Sequence, residues 1–304
     1  MRRTATRPGP RAGIAVLTLA LGLTGCQAQS SIIPAHEPDP LVVIETASFA
    51  ESEIVGHIYA NALSRSGWRV APRPQSGTQD EVMDSVVAGD ATFTLGFTGE
   101  LLRRYDRGAD DTASEDVYTA MMAALPEGVT AADPAPAEDA PVYVVTRHTS
   151  ETRGLRTMSD LAGRCGELTL GARQEALADR ELATSVGAGY ECGFGNRVPM
   201  GSDPRAVFEA LRDGEIGVGL VQSADPILAP DDMVPLVDDD EVILAQQLVP
   251  VFRKGSLSEE QLEMVNRISG ELTTDDVREL LLGVEFGTAT PVGMANYWLD
   301  QHDY

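Results

Sequence analysis

Cysteine is scarce: three in 304 residues exclude a fold built on a dense disulfide framework. Lysine is almost absent, with Lys254 alone, and we give that no functional weight. Basic residues are outnumbered, with 23 Lys and Arg against 47 Asp and Glu and a formal net charge of -24. Such a surface repels phosphate backbones, which excludes nucleic acid as a partner, and it disfavours docking of the protein surface on anionic lipid. The four histidines, His36, His57, His148 and His302, are scattered. No Cys/His cluster has metal-ligand spacing, so neither a metal nor another cofactor is expected. G-x-S-x-G, H-E-x-x-H and P-loop patterns are missing as well, which argues against an enzyme. The acid pairs Asp110-Asp111 and Asp231-Asp232 sit in acidic loops and read as solvated surface.

What is present is a hydrophobic fraction of 43%, too high for a disordered chain. The length suits two domains of roughly 100–150 residues each. Residues 1–25 combine a basic start (Arg2, Arg3, Arg7, Arg11) with a short apolar run over 14–23. Leu23-Thr24-Gly25-Cys26 then reads as a bacterial lipobox. The expectation is a lipoprotein signal peptide over 1–25, a lipidated Cys26 and a polar, proline-bearing tether over 26–40. That places the protein on the extracytoplasmic face of a cell membrane, anchored by lipid. No other run reaches the ~18 apolar residues of a spanning helix. Cys165 and Cys192 then remain as a pair. In an exported protein such a pair forms a disulfide, two buried thiols being the alternative.

Along the mature chain, segment 41–44 reads as a strand, 53–66 as a helix and 68–70 as the start of a strand. Thr78 N-caps a helix with a Val82, Val86, Val87 face that ends at Gly89, and 91–95 is again a strand. This β-α-β-α-β order starts a mainly parallel sheet with helices on its faces. Residues 106–116 read as an acidic loop, 117–125 as a helix and 126–140 as a Pro/Ala/acid linker. A second set follows: strand 167–171, helix 175–186, strand 197–200, helix 204–212 and strand 215–221. Helices over 259–268, 274–282 and 292–300 close the chain. Extended segments 142–147 and 247–253 are the candidates for crossing between two lobes, with a ligand cleft between them.

Several short stretches carry a resemblance. They are Ser48-Phe49-Ala50-Glu51-Ser52-Glu53-Ile54 after the first strand, Phe97-Thr98-Gly99 after the third, and Leu272-Thr273-Thr274-Asp275-Asp276. Val284, Pro291, Val292, Ala295 and Trp298-Leu299 follow. In this order and spacing, the chain resembles the substrate-binding proteins of ABC importers for glycine betaine, choline and carnitine over nearly all of 41–301. The resemblance implies an α/β, two-lobed type II periplasmic-binding-protein fold, with lobe I over 41–140 plus 250–304 and lobe II over 146–246. It implies a monomer that closes on a small zwitterion or cation and delivers it to an ABC permease and its ATPase. The alternative is a lipoprotein that keeps the fold as a sensor or scaffold for another ligand, such as an amino acid.

The family binds a trimethylammonium head in a cage of aromatic faces, each worth roughly 0.5–2 kcal/mol. Carried onto this chain, the cage positions fall on Phe97, Tyr143, Gln222 and Gln246. The residue after Gly99 is Glu100, and Arg180 best matches the arginine that grips a carboxylate. Two glutamines thus stand where rings would, supplying amide donors and acceptors, and Glu100 adds negative charge. The resemblance therefore implies a site suited to a cation that also carries hydrogen-bonding groups. Ordinary roles compete at each position: core packing for Phe97, a half-wet core tyrosine for Tyr143, surface glutamines, a solvated Arg180 and a first-turn acid for Glu100.

Overall fold

Apolar strands and helix-period segments alternate from the first described residues onward. In the computed structural model they form β1 (Val42–Glu45), α1 (Ala50–Arg65), β2 (Val70–Arg73), α2 (Gln79–Ala88), β3 (Phe93–Phe97), α3 (Thr98–Tyr105), α4 (Ser114–Ala124) and β4 (Val129–Ala131). The structure describes residues 40–304 except 202, 229–231, 286 and 288. The expected signal peptide of 1–25, Cys26 and the tether as far as residue 39 lie outside the described residues. α2 starts as its sequence dictates: Thr78 and Glu81 form a capping box, and Gly89 closes the helix in the left-handed region at φ 92°. Its buried face is Val82, Met83 and Val86, whereas Val87, read above as part of that face, is exposed. At about 100° per residue the buried arc runs from Val82 through Val86 to Met83, and Val87 falls about 40° beyond its edge.

The chain continues through β5 (Pro141–Thr146), α5 (Arg147–Arg153), β6 (Thr169–Arg173), α6 (Gln174–Ala178), α7 (Arg180–Gly189), β7 (Asn196–Met200), α8 (Pro204–Asp213), β8 (Val218–Gln222) and β9 (Met233–Pro235). It ends with β10 (Leu248–Arg253), α9 (Glu259–Glu271), α10 (Thr274–Glu285) and α11 (Pro291–Gln301). Two five-stranded sheets result, ordered β2-β1-β3-β10-β4 and β7-β6-β8-β5-β9. In the first, β1 runs parallel to β2 and β3, and β10 runs antiparallel to β3 and β4. In the second, β6 runs parallel to β7 and β8, and β5 runs antiparallel to β8 and β9. Two sheets flanked by helices are the two-lobed α/β architecture expected from the sequence. Among the described residues no helix is long and apolar enough to cross a membrane.

Three local readings are corrected. Residues 126–140, read as a linker, include β4, and Ala132, Ala135 and Ala137 from this stretch enter the first core. Alanines between prolines and acids look like a linker in composition, but they are small enough to pack under a neighbouring strand. The helix read over 175–186 is two, because Asp179 caps a new start by accepting from the Leu182 N–H at 2.9 Å. Segments 142–147 and 247–253 are strands inside the sheets. The chain passes from sheet to sheet just outside them, where Asp139 N–H donates to Gln246 O at 3.0 Å and Leu248 N–H to Ala137 O at 2.9 Å.

The first core forms where α1 lays Ile54, Ile58, Ala62 and Leu63 on the sheet beneath α9, α10 and α11. Tyr59 is fully buried there, and its hydroxyl reaches Ser269 Oγ at 2.9 Å. The second core gathers Val145, Leu155, Met158, Leu170 and Val218, with Cys165 and Cys192 inside it. These cysteines form a disulfide with Cα atoms 5.3 Å apart, joining positions 27 apart in sequence. By loop-closure entropy such a bridge stabilises the fold by about 3 kcal/mol.

Candidate functional site

The parallel pairing of β1 with β3 sends the strand-to-helix turns at their C-terminal ends to one edge of the first sheet. The first turns of α1 and α3 therefore lie side by side, and each carries an acid, Glu51 and Glu100. Such edges are where open α/β sheets bind ligands. α3 can approach the returning chain because residue 99 is glycine: a Cβ there would lie 2.5 Å from the Ala245 backbone oxygen. That approach lets Gln246 Oε1 accept the Glu100 N–H at 2.9 Å.

Gln246 is the centre of a short network. Its own N–H donates to Glu138 Oε1 at 3.0 Å, and its carbonyl accepts from Asp139 N–H. On the other side, Gln222 Nε2 donates to Asp139 O at 3.0 Å, and the Ala224 N–H donates to Asp139 Oδ1 at 3.2 Å. Ser223 Oγ donates to Glu138 O at 2.6 Å, while Arg278 of α10 donates to Ser223 O at 2.7 Å. Glu100 on the first sheet's edge is thereby tied, through Gln246 and Asp139, to the end of β8 in the second sheet.

The electrostatics are those of crowded carboxylates. Glu51 is 8% exposed, and burial holds its carboxyl well above the usual range, with the charges of Asp139 and Glu100 pushing the same way. Glu100 reaches solvent, yet the protein walls around it, and then Asp139, raise its pKa too. Burial also raises Asp139, against the hydrogen bonds from Ala224 and Gln222 and the attraction of Arg173. Asp225 is pushed up to about 6 by burial, with Arg173 again pulling the other way. Arg173, at the end of β6, is the basic group whose field reaches both Asp139 and Asp225.

The structure brings together Glu100, Gln246 and Gln222, and it sets Phe97 nearby at the start of α3. Phe97 is 8% exposed and shares a groove of about 790 Å³ with Glu100, while Glu100 and Gln246 share a cavity of about 230 Å³ against α7. Tyr143 stands apart: its ring is buried in the second core, stacked on Phe194 at 5.8 Å. Burial there pushes its hydroxyl up to about 12. Arg180 is exposed in the first turn of α7. Sequence reasoning missed Glu51, Asp139, Asp225 and Arg173. Glu51 lies inside the Ser48–Ile54 stretch already singled out, Asp225 follows Gln222 by three residues, and Arg173 ends a strand at the edge where ligands bind. Asp139 was hidden in the stretch read as linker.

Residues 40–301 match the family model described as the substrate binding domain of ABC-type glycine betaine transport systems. Among solved structures, a glycine betaine/carnitine/choline ABC transporter protein aligns with 21% identity and a TM-score of 0.78, over 86% of this chain and 99% of that one. Apo YehZ from Escherichia coli aligns with 17% identity and a TM-score of 0.75, over 88% and 99%. An ABC-transporter choline binding protein in complex with choline aligns with 16% identity and a TM-score of 0.55, over 86% and 89%. At these identities the likeness to the solved structures is one of fold.

Proposed function

The chain belongs to the family of substrate-binding domains of ABC-type glycine betaine transport systems, and from that premise we propose that its interlobe cleft binds a small cationic or zwitterionic solute of the glycine betaine, choline and carnitine class. As a member of that family it is an extracytoplasmic solute-binding protein of an ABC importer, and its partners are the solute and the permease. The family is one of transporter binding proteins and not an enzyme class.

The observation that carries the ligand reading is the network from Glu100 through Gln246 and Asp139 to Gln222. It lines up negative groups at the junction of the two sheets, where a cation bound between them would touch both. Phe97 offers one ring beside it. In this reading Gln246 and Gln222 act by positioning Glu100 and Asp139. Closure is a hinge motion at the paired connections near Asp139 and Gln246. Lipidation at Cys26 holds the protein, as a monomer, near the permease. No covalent step is needed.

The test is calorimetric titration of the full chain with glycine betaine, choline and carnitine, with the solutes recovered and analysed afterwards. Saturable binding of one molecule per chain, with the solute returned unchanged, is the expected result. No heat with any of the three would overturn the ligand class, and turnover would overturn the non-enzymatic reading. For the anchor, Cys26→Ala should release the protein from the membrane fraction. A variant that stays membrane-bound overturns that part.

A further inference from the structure

The cavity of about 230 Å³ between α3, α7 and the connection over 242–246 is walled by both lobes, and the protein answers only some of its polar groups. Three acids line it, Glu100, Asp179 and Glu181. Glu181 is paired with Arg103, and Asp179 Oδ1 accepts from the Leu182 N–H at 2.9 Å. Of the three, Glu100 alone has a carboxylate with no hydrogen bond or ion pair among the described residues. More donors than acids are left over. Arg103 gives one terminal nitrogen to Glu181 and the other to the Ala109 carbonyl, but its Nε is shut off from solvent and has no partner. Gln246 has its amide orientation fixed, because only Oε1 can accept the Glu100 N–H at 2.9 Å. Its Nε2 therefore carries two donors, and neither meets an acceptor among the described residues. The hydroxyls of Thr112 and Ser185, which line the same cavity, have no partner there either.

These unanswered groups specify the ligand's chemistry. A guanidinium N–H closed off from water without an acceptor costs free energy, and a carboxylate is the group that guanidinium donors match best. A plain anion would meet the Glu100 charge with nothing to offset it. A cation without acceptor atoms would answer Glu100 and leave every donor unpaired. A zwitterion answers both sets, with its positive head for Glu100 and about four carboxylate lone-pair sites for the donors. The size agrees, since the cavity falls below the roughly 300–1,000 Å³ of pockets for drug-sized ligands. Leu182, Val242 and Leu244 line it as well and offer apolar surface to N-methyl groups.

We propose that Arg103 Nε and Gln246 Nε2, aided by the hydroxyls of Thr112 and Ser185, hold the carboxylate of a zwitterionic solute in this cavity, so that the protein prefers carboxylate-bearing solutes over choline. The proposal rests on the cleft being the solute site, as argued above. The experiment is calorimetry on the full chain with glycine betaine against choline, which share a trimethylammonium head and differ in a carboxylate or a hydroxymethyl group, and with carnitine as a second carboxylate-bearing probe. At least one of the two carboxylates should bind about ten-fold or more tightly than choline. Gln246→Glu keeps an oxygen for the Glu100 N–H but replaces the two donors with an acceptor, and it should shrink that preference about ten-fold. Arg103→Lys keeps the charge facing Glu181 and removes Nε, and it should shrink the preference several-fold. The Arg103 side chain is partly exposed, so Arg103→Lys keeps the test in force if Gln246→Glu fails to fold. A merely structural role for either residue would weaken all three solutes together and leave their ratio in place. A preference for the carboxylates below ten-fold, or a preference for choline, overturns this proposal and leaves the solute-binding reading intact. A full preference that survives in a folded variant overturns the assignment to that residue. Silence from all three solutes overturns both this proposal and the ligand class.

Discussion

The orders β2-β1-β3-β10-β4 and β7-β6-β8-β5-β9 repeat one plan: three parallel strands, then one antiparallel to them, then a last one antiparallel to that. The helices that cover the two sheets differ. α1 buries eleven of its sixteen residues beneath three C-terminal helices, and it would be hard to loosen without exposing the whole first core. In the second sheet α6 buries nothing, α7 buries only Val186, and β7 is largely exposed. That lobe has less apolar surface to remove from water and is stapled by Cys165–Cys192 instead. The same plan is thus stabilised by helix packing on one side and by a covalent bridge on the other.

The difference breaks most visibly with Cys165→Ser combined with Cys192→Ser. We expect a loss of about 3 kcal/mol, confined to the second lobe. Hydrogen exchange should show the amides of β6 and β8 losing protection while those of β1 and β3 keep theirs. Equal loss in both sheets would mean that the bridge supports the whole molecule. The next effect belongs to the first lobe. Gly99→Ala puts a Cβ 2.5 Å from a backbone oxygen that cannot rotate away, so α3 must shift from the Ala245–Gln246 chain. About 1–3 kcal/mol should go, together with protection of the Glu100 amide. An unchanged melting temperature and an unchanged Glu100 amide would show that the close approach is not required.

These two sites also show what a sequence can reveal. The disulfide followed from compartment and parity, because an exported chain with two cysteines left over has few other uses for them. Thr78, Glu81 and Gly89 announced α2 because capping is local chemistry. Glu100 was noticed because it follows a motif. Asp139 was not, because its place depends on two connections that meet only when both sheets have formed, and alanines and prolines around it look like a linker. Tyr143 shows the converse: it lies next to the crossing in sequence, but the alternation of β5 turns its ring into the second core, with Val145.

Asp225 sharpens the comparison on the second lobe's side of the cleft. Its carboxyl titrates near 6 in the fold against an ordinary 3.8, so the native state holds this proton more tightly than the unfolded chain. The sign follows: between about pH 4 and pH 6 the unfolded state releases its proton first, and stability falls as pH rises through that window. Asp225→Asn should remove this slope. At pH 7 the variant should be more stable by about 1–2 kcal/mol, allowing for partial solvent access, and at pH 4 it should match the parent. Thermal melts at the two pH values decide it. A variant less stable at pH 7 would show that the hydrogen bond from Ile227 N–H outweighs the burial of the charge.

The smallest effect tests whether the two lobes communicate through their rims. Arg103 of α3 forms an ion pair with Glu181 of α7, across the cavity that Glu100 and Gln246 also line. Arg103 has a second partner, the Ala109 carbonyl, whereas no other partner of the Glu181 side chain occurs among the described residues. Glu181→Gln is therefore the cleaner break. Glu181 is 64% exposed at its side chain, and an exposed pair of this kind is worth at most about 1 kcal/mol. Global stability should barely move. The pair nevertheless joins one side of the cleft to the other, so whatever it contributes favours the closed form over the open one. Ligand affinity should fall by about two- to five-fold, the equivalent of about 0.4–1 kcal/mol. Because salt screens exposed charges, the gap between parent and variant should shrink when the titration is repeated at about 0.5 M salt. A loss above ten-fold would place Glu181 in contact with the solute. An affinity unchanged at low salt would mean that the pair does not help hold the lobes closed.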